Sequence, residues 1–84
     1  MKLLDTVNKM TSEDYKDRFV AEYYQLKIRT DSLENMLTKY KNGTLSFVPT
    51  CSYDLLYNQL KGMWHYMSCL EQRAKVENIQ LEEV

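Results

Sequence analysis

The sequence contains very little glycine or proline. Its 84 residues include two glycines and one proline. So few turn-forming residues disfavour an all-β chain, which needs many tight turns. A chain of this length forms at most one domain with a limited core, so association with other copies is a natural supplement to its stability.

An excess of charge of either sign is also missing, as are long hydrophobic runs. Eleven Lys and Arg residues face 12 Asp and Glu residues. We therefore expect neither a nucleic-acid polymer nor an anionic membrane as a partner. Asp5 interrupts the apolar N-terminal segment, and no run approaches the roughly 20 residues of a membrane span. We expect no signal peptide and no membrane segment.

Cysteine is scarce, with two residues, Cys51 and Cys69, 18 positions apart. On a helix that separation is about 27 Å, far beyond the reach of an intrachain disulfide. Free thiols without an export signal are typical of the reducing cytoplasm. We therefore expect a cytoplasmic protein.

Motifs of enzyme and metal chemistry are absent. His65 and Cys69 are four residues apart, but no other histidine or nearby cysteine in the chain completes a tetrahedral site. Gly43 and Gly62 alone make no phosphate-binding loop, and no nucleophile–histidine–acid motif is present. The sequence predicts a non-enzymatic protein with no catalytic residue, metal or cofactor.

Apolar residues instead recur in two helical seams with alternating spacings of four and three. This spacing is typical of the a and d positions of a heptad repeat. The first seam comprises Phe19, Tyr23, Leu26, Thr30, Leu33, Leu37 and Tyr40. The second comprises Leu56, Leu60, Met63, Met67, Leu70 and Ala74.

The fold class follows as a single all-α domain, 1–84, built on an antiparallel hairpin of two long helices, about 12–41 and 52–77. Thr11 or Ser12 is expected to cap the first helix and Thr50 or Ser52 the second. Gly43 supplies a left-handed residue after the first. Residues 1–10 form an arm or a short helix, 42–51 a connection and 78–84 a tail. Leu45 and Phe47 are expected to fold back over the end of the hairpin.

If the two seams face each other, residue numbers across the pair sum to a constant. The register places Phe19 opposite Ala74, Tyr23 opposite Leu70, Leu26 opposite Met67, Thr30 opposite Met63, Leu33 opposite Leu60, and Leu37 opposite Leu56. On one flank it brings Glu22 to Arg73, Arg29 to Tyr66 and Met36 to Gln59. On the other it brings Val20 to Glu71, Lys27 to Trp64 and Glu34 to Tyr57.

A second apolar stripe on the second helix is left over from this pairing. A helix that is apolar on two stripes needs two neighbours, and a glycine inside a helix costs up to about 1 kcal/mol relative to alanine unless close approach compensates. We therefore expect a homo-oligomeric helical bundle. The predicted interface residues are Leu55, Gly62, Tyr66, Cys69 and Val76.

The flanks of the hairpin hold the candidate ligand-binding residues. Arginine presents a fork for phosphate, and Tyr or Trp presents a stacking face for a base. The candidates are Arg29, Tyr66, Arg73, Gln59, Trp64 and Lys27. The alternative interpretation is a solvated charged edge that contributes little per pair. Such a ligand site would best form between protomers.

Several segments carry a resemblance to known proteins. They are 22–29, 40–45, 47–51 and the helical positions Leu55, Leu56, Gln59, Met63, Tyr66, Leu70, Glu71, Arg73 and Ala74. Over about residues 13–81 the chain resembles a group of small phage and prophage helical-hairpin proteins. This group is similar to the hairpin domain of anti-CBASS and anti-Thoeris sponge proteins. Departures are Ser52, where relatives are expected to have proline, and the ten N-terminal residues.

The resemblance implies a phage-derived, oligomeric, anti-defence protein. Such a protein binds and sequesters a small nucleotide immune signal, of the cyclic oligonucleotide or cyclic ADP-ribose type, without cleaving it. The ligand residues above come from the heptad geometry and not from the family. The alternative function is a phage adaptor or inhibitor that binds a protein through the same faces and has no small-molecule ligand.

Overall fold

A computed structural model of the chain describes residues 2–81. A short 3-10 helix, Leu3–Thr6, leads directly into α1, Val7–Met10. Two long helices follow, α2 over Tyr15–Asn42 and α3 over Tyr53–Glu77. They pack against each other as the predicted hairpin, and the described part of the chain contains no strand.

The start of α2 lies three residues later than predicted, because Asp14 and not Thr11 or Ser12 caps it. The Asp14 carboxylate accepts the backbone N–H of Lys16 at 2.9 Å. The hydroxyl of Ser12 accepts the N–H of Asp14 and donates to Asp17, so it supports the turn before the helix. At the other end, Gly43 adopts the predicted left-handed conformation with φ of 73°.

Of the two residues predicted to cap α3, Thr50 and Ser52, the structure shows Ser52 in that role. The side chain of Ser52 accepts the backbone N–H of Leu55 at 3.2 Å, and Asp54 adds negative charge to the first turn. The helix ends at Glu77, and the next residue, Asn78, is left-handed with φ of 60°. Ser52 is therefore the N-cap of α3 in this chain. Relatives are expected to have proline at this position.

The predicted seams form the interface between the long helices. All thirteen seam residues are buried or half-buried. The hydroxyl of Tyr23 reaches Glu71, and the rings of Tyr40 and Tyr53 lie 5.6 Å apart at the closed end. Both contacts agree with the predicted register, as does the shared core cluster of Phe19, Tyr23, Leu70 and Ala74. The six individual pairings stay a prediction.

The prediction that Phe47 covers the end of the hairpin is wrong. Phe47 is 55% exposed and Val48 is more exposed still, whereas Leu45 is half-buried. The rings of Tyr40 and Tyr53 already close that end of the seam, so the connection passes beside it.

The N-terminal arm and the tail both pack against the hairpin. Thr6 is fully buried, and its hydroxyl accepts a hydrogen bond from Nε2 of Gln25 on α2 at 2.9 Å. On the tail, Ile79 is buried, and the hydroxyl of Tyr24 donates to the carbonyl of Leu81 at 2.7 Å. Ile79 and Leu81 of the predicted tail therefore dock against the hairpin, and residues 82–84 lie outside the described part. Together these segments cover part of the N-terminal half of α2, around Tyr24 and Gln25.

Candidate functional site

A groove runs between the C-terminal half of α2 and the N-terminal half of α3, and we call it the aromatic groove. Its volume is about 210 Å³. The residues from α2 are Glu34, Leu37, Thr38, Lys41 and Asn42. Those from α3 are Tyr53, Tyr57, Leu60 and Trp64. The groove lies on the flank where the register placed Glu34 beside Tyr57.

Aromatic rings line the α3 side in a continuous series. Tyr53 and Tyr57 stack with centroids 6.0 Å apart, and Tyr57 meets Trp64 edge to face at 6.3 Å. Tyr57 and Trp64 are 38% and 41% exposed. Spacings of four and seven residues on one helix put these rings on one side. Because two of the rings are both packed and open to solvent, they offer preformed faces for stacking.

Two lysines and one carboxylate, that of Glu34, lie at the groove. Lys41 lines it directly, and Nζ of Lys61 lies 5.3 Å from the centroid of the Tyr57 ring. Glu34, Thr38 and Asn42 add hydrogen-bonding groups on the α2 side. Rings for stacking, amines for phosphate and polar groups for a base edge are the elements of a nucleotide site.

The opposite flank of the hairpin differs from prediction. Glu22 was expected beside Arg73, but the carboxylate of Glu22 accepts a hydrogen bond from the hydroxyl of Tyr66. Arg73 is engaged elsewhere, because its guanidinium donates to the hydroxyl of Tyr15 at 2.8 Å and lies 5.0 Å from the ring centroid of Phe19. The predicted Glu22–Arg73 contact is therefore wrong.

The environment of Arg73 favours its charged form and gives it a structural role. The Tyr15 phenol and then Glu77, 3.5 Å away, raise the pKa of the guanidinium above its ordinary value. Arg73 ties the start of α2 to the end of α3. Because its guanidinium already contacts Tyr15, Phe19 and Glu77, Arg73 is less available to bind a phosphate than the sequence predicted.

The six predicted ligand residues do not converge on one site. Arg29, Gln59, Tyr66 and Arg73 lie on the flank opposite the aromatic groove. Arg29 is exposed and forms no hydrogen bond or ion pair within residues 2–81, and the Gln59 amide lies against the sulfur of Met63. Trp64 lines the aromatic groove, and Lys27 lies one helical turn from its ion-pair partner Asp31.

The stripe predicted as an oligomer interface is open to solvent in the protomer. Leu55 and Val76 are 58% and 87% exposed, and Gly62 and Cys69 are exposed as well. A Cβ built on Gly62 would meet nothing within 4 Å. The hairpin itself therefore gives no packing reason for this glycine.

A second groove of about 540 Å³ lies between α2 and the connection. Its lining is mostly small and polar, with Phe47 as the only ring and Lys39 as the only charge among the lining residues Ser32, Asn35, Met36, Lys39, Thr44, Leu45, Ser46 and Phe47. It is larger than the aromatic groove but has fewer groups suited to a base or a phosphate. We therefore take the aromatic groove as the candidate site.

Sequence reasoning missed part of this site. Of the lining residues only Trp64 was a predicted ligand residue, and Thr38, Lys41, Asn42 and Tyr53 were not. The aromatic spacing Tyr53, Tyr57 and Trp64 opposite the C-terminal end of the first helix was the available signal. Within residues 2–81, no group of three or more His, Cys, Asp or Glu side chains could hold a metal ion, and no helix is long and apolar enough to cross a membrane.

Comparison with family models decides the relationship of the chain to known proteins. The Sequestin family model matches residues 13–76, which include α2, all of α3 but its last residue, and the aromatic groove. The chain belongs to the Sequestin family. Neither the curated proteins nor the solved structures gave a match.

The name Sequestin implies that members bind and hold a ligand and do not transform it. The matched range begins at Glu13, so the arm lies outside the Sequestin match although it packs against α2 in this chain. An all-helical hairpin with an open, ring-lined groove is compatible with a sequestering role.

Proposed function

We propose that this protein sequesters a small nucleotide immune signal, of the cyclic oligonucleotide or cyclic ADP-ribose type, as a phage-derived anti-defence protein. The observation that carries the proposal is the aromatic groove, where the exposed rings of Tyr57 and Trp64 lie beside two lysines. The Sequestin match supports the coarser part of it, the holding of a ligand.

The base of the ligand stacks on the ring series of α3. Stacking of a base on an aromatic side chain contributes about 1–3 kcal/mol and tolerates any base, because every base has a π face. Asn42 and Glu34, at the α2 side, can hydrogen-bond the edge of that base. The groove therefore binds the nucleobase more than the sugar.

The phosphates lie toward Lys41 and Lys61. Lysine binds phosphate as a point charge and needs no fixed geometry, which suits a groove at the surface of a hairpin. The protein needs no catalytic general base and no nucleophile, because sequestration lowers the concentration of free signal by binding alone. The ligand is released unchanged when the protein unfolds.

A second protomer completes the site. Pockets for small molecules typically have about 300–1,000 Å³, and the aromatic groove has about 210 Å³. One groove therefore holds one base of the ligand. The rest of a cyclic ligand lies against another copy in a homo-oligomer.

The test is binding of a panel of cyclic di- and trinucleotides and cyclic ADP-ribose isomers by isothermal calorimetry, followed by heating and mass spectrometry of the released ligand. We expect one class to bind and to be recovered intact. A ligand recovered as a cleaved product, or no binding by any member of the panel, contradicts the proposal.

Tyrosine variants locate the site. Tyr57 and Tyr66 lie on opposite flanks of α3 with similar exposure, 38% and 44%. We expect Tyr57→Ala to weaken binding at least tenfold, which is about 1.4 kcal/mol, and Tyr66→Ala to weaken it little. The reverse pattern would place the ligand on the flank of Arg29, Gln59 and Tyr66.

A second candidate function is an adaptor that binds a protein and no small molecule. The exposed stripe Leu55, Gly62, Cys69 and Val76 favours it, since exposed apolar patches often mark interfaces. A stoichiometric partner recovered with the tagged protein from infected cells, together with no binding to the nucleotide panel, would select this function.

A further inference from the structure

His65 and Cys69 form a pair on the exposed face of α3. They lie one helical turn apart, and Sγ of Cys69 is 3.8 Å from Nε2 of His65. Two ligands of one tetrahedral zinc ion, at about 2.3 Å for sulfur and about 2.1 Å for nitrogen, lie about 3.6 Å from each other. The pair is therefore already spaced as half of a Cys2His2 zinc site.

The helix face on the Gly62 side of this pair is almost uncharged, whereas Lys61 and Lys75 flank the pair on its other side. The uncharged side consists of ten positions, of which Arg73 alone carries a formal charge: Leu55, Asn58, Gln59, Gly62, His65, Tyr66, Cys69, Gln72, Arg73 and Val76. All ten are exposed in the protomer, in a chain in which 27% of residues are charged. Depletion of charge is the compositional mark of the centre of a protein interface.

We propose that two copies of the chain pack α3 against α3 in antiparallel orientation and bind one zinc ion between them. A two-fold axis at the height of Met67 places position 65 of each helix opposite position 69 of the other. The ion then has four ligands, His65 and Cys69 together with the partner's His65 and the partner's Cys69. The ligand set is that of a structural zinc site.

The second copy is the occupant that the chemistry selects. One chain supplies two ligands, and the part of it that the structure describes offers no cluster of three. A two-fold axis duplicates the pair without needing any other residue, as isologous interfaces do. Gly62 lies one turn from the pair with nothing within 4 Å of its Cβ position. The two helices can therefore approach to the roughly 8–10 Å of close helix packing.

This site goes beyond the proposed function and does not depend on it. Tyr57 and Trp64 of the aromatic groove lie on a different face of α3 from Gly62 and Cys69, so a zinc-linked pair leaves both grooves open. Metal binding and nucleotide binding can therefore fail separately.

The test uses the full chain, purified under reducing conditions and freed of metal, with zinc added back. Light scattering gives the mass, and elemental analysis gives the metal content. We expect one zinc per two chains and a dimer that dissociates when a chelator is added. With cobalt, we expect the thiolate charge-transfer absorption of a tetrahedral site.

Cysteine variants provide the matched comparison. Cys51 and Cys69 are both exposed. We expect Cys69→Ser and His65→Asn to lose the metal and the metal-dependent dimer, and Cys51→Ser to keep both. No zinc binding, one zinc per chain without a change in mass, a dimer indifferent to metal, or equal loss in Cys51→Ser would overturn the proposal. Nucleotide binding retained in Cys69→Ser would show that the two sites are independent.

Discussion

The hydroxyl of Tyr23 donates a hydrogen bond of 2.7 Å to Oε2 of Glu71 and so joins α2 to α3 at the edge of the seam. Burial, followed by the hydrogen bond to this carboxylate, raises the pKa of the Tyr23 phenol above its ordinary value of about 10. The folded protein thus holds this proton more tightly than the unfolded chain. The resulting stabilisation is complete below about pH 10 and is lost as the pH rises further.

We therefore expect wild-type protein to lose stability more steeply than Tyr23→Phe above about pH 10. At neutral pH the variant should be less stable by about 1.5–3 kcal/mol, the usual contribution of a hydrogen bond to a charged group. Urea unfolding at about pH 8 and pH 11 measures both effects. Exposed Tyr57→Phe is the control. Parallel loss of stability in wild type and Tyr23→Phe would show that Tyr23 does not hold its proton.

The arm contributes to folding through Thr6. Its hydroxyl donates to the carbonyl of Leu3 at 2.7 Å and accepts from Gln25 at 2.9 Å, in a fully buried place. We expect Thr6→Val to lower the free energy of unfolding by about 1–3 kcal/mol, because two hydrogen bonds are lost and each contributes about 0.5–1.5 kcal/mol. Thr11→Val, in the exposed turn after α1, is the control. Equal effects in thermal unfolding would mean that the arm does not pack as described.

The two glycines should respond to alanine in opposite directions. At both positions, the Cβ that alanine adds would have no neighbouring atom within 4 Å. Gly43 has φ of 73°, so Gly43→Ala should destabilise the fold by about 1–2 kcal/mol. Gly62 lies in helical conformation, so Gly62→Ala should stabilise the protomer by up to about 1 kcal/mol. Chemical denaturation of both variants at low protein concentration tests this contrast.

Gly62→Leu separates folding from assembly. A leucine on this exposed position should leave the hairpin folded, because the seam does not include it, and should prevent close approach of a second copy. Light scattering of the variant should give a lower mass than wild type, with unchanged helical circular dichroism. If Gly62→Leu unfolds the protomer, Gly62 belongs to the core and not to the exposed face. If wild-type protein is already a monomer at tens of micromolar, the predicted interface does not form.

The hairpin could be predicted from sequence because its seams are periodic and its ends carry local signals. Tyr23, Leu37 and Leu70 repeat with helical spacing, and Gly43 has the chemistry of a helix end. Burial of Tyr24 could not be predicted the same way, since it depends on the distant tail that reaches its hydroxyl. A short tail outside the long helices carries no periodic signal that shows where it packs.

The candidate site was only partly predictable for a related reason. The register brought Glu34 to Tyr57 and placed Trp64 on the same flank, as the groove requires. It did not reveal that Tyr15 would take Arg73, because Tyr15 lies before the seam begins. Side-chain partners on a flank are chosen by reach and geometry, which heptad position alone does not determine.

The account depends most on stacking of a base in the aromatic groove, and the chain offers a direct probe of it. Trp64 is the single tryptophan of the sequence and lines this groove. The measurement is its intrinsic fluorescence during titration with whichever panel nucleotide binds by calorimetry. We predict saturable quenching with the calorimetric affinity, weakened in Tyr57→Ala and retained in Tyr66→Ala. Calorimetric binding that leaves Trp64 fluorescence unchanged would contradict the aromatic groove as the nucleotide site.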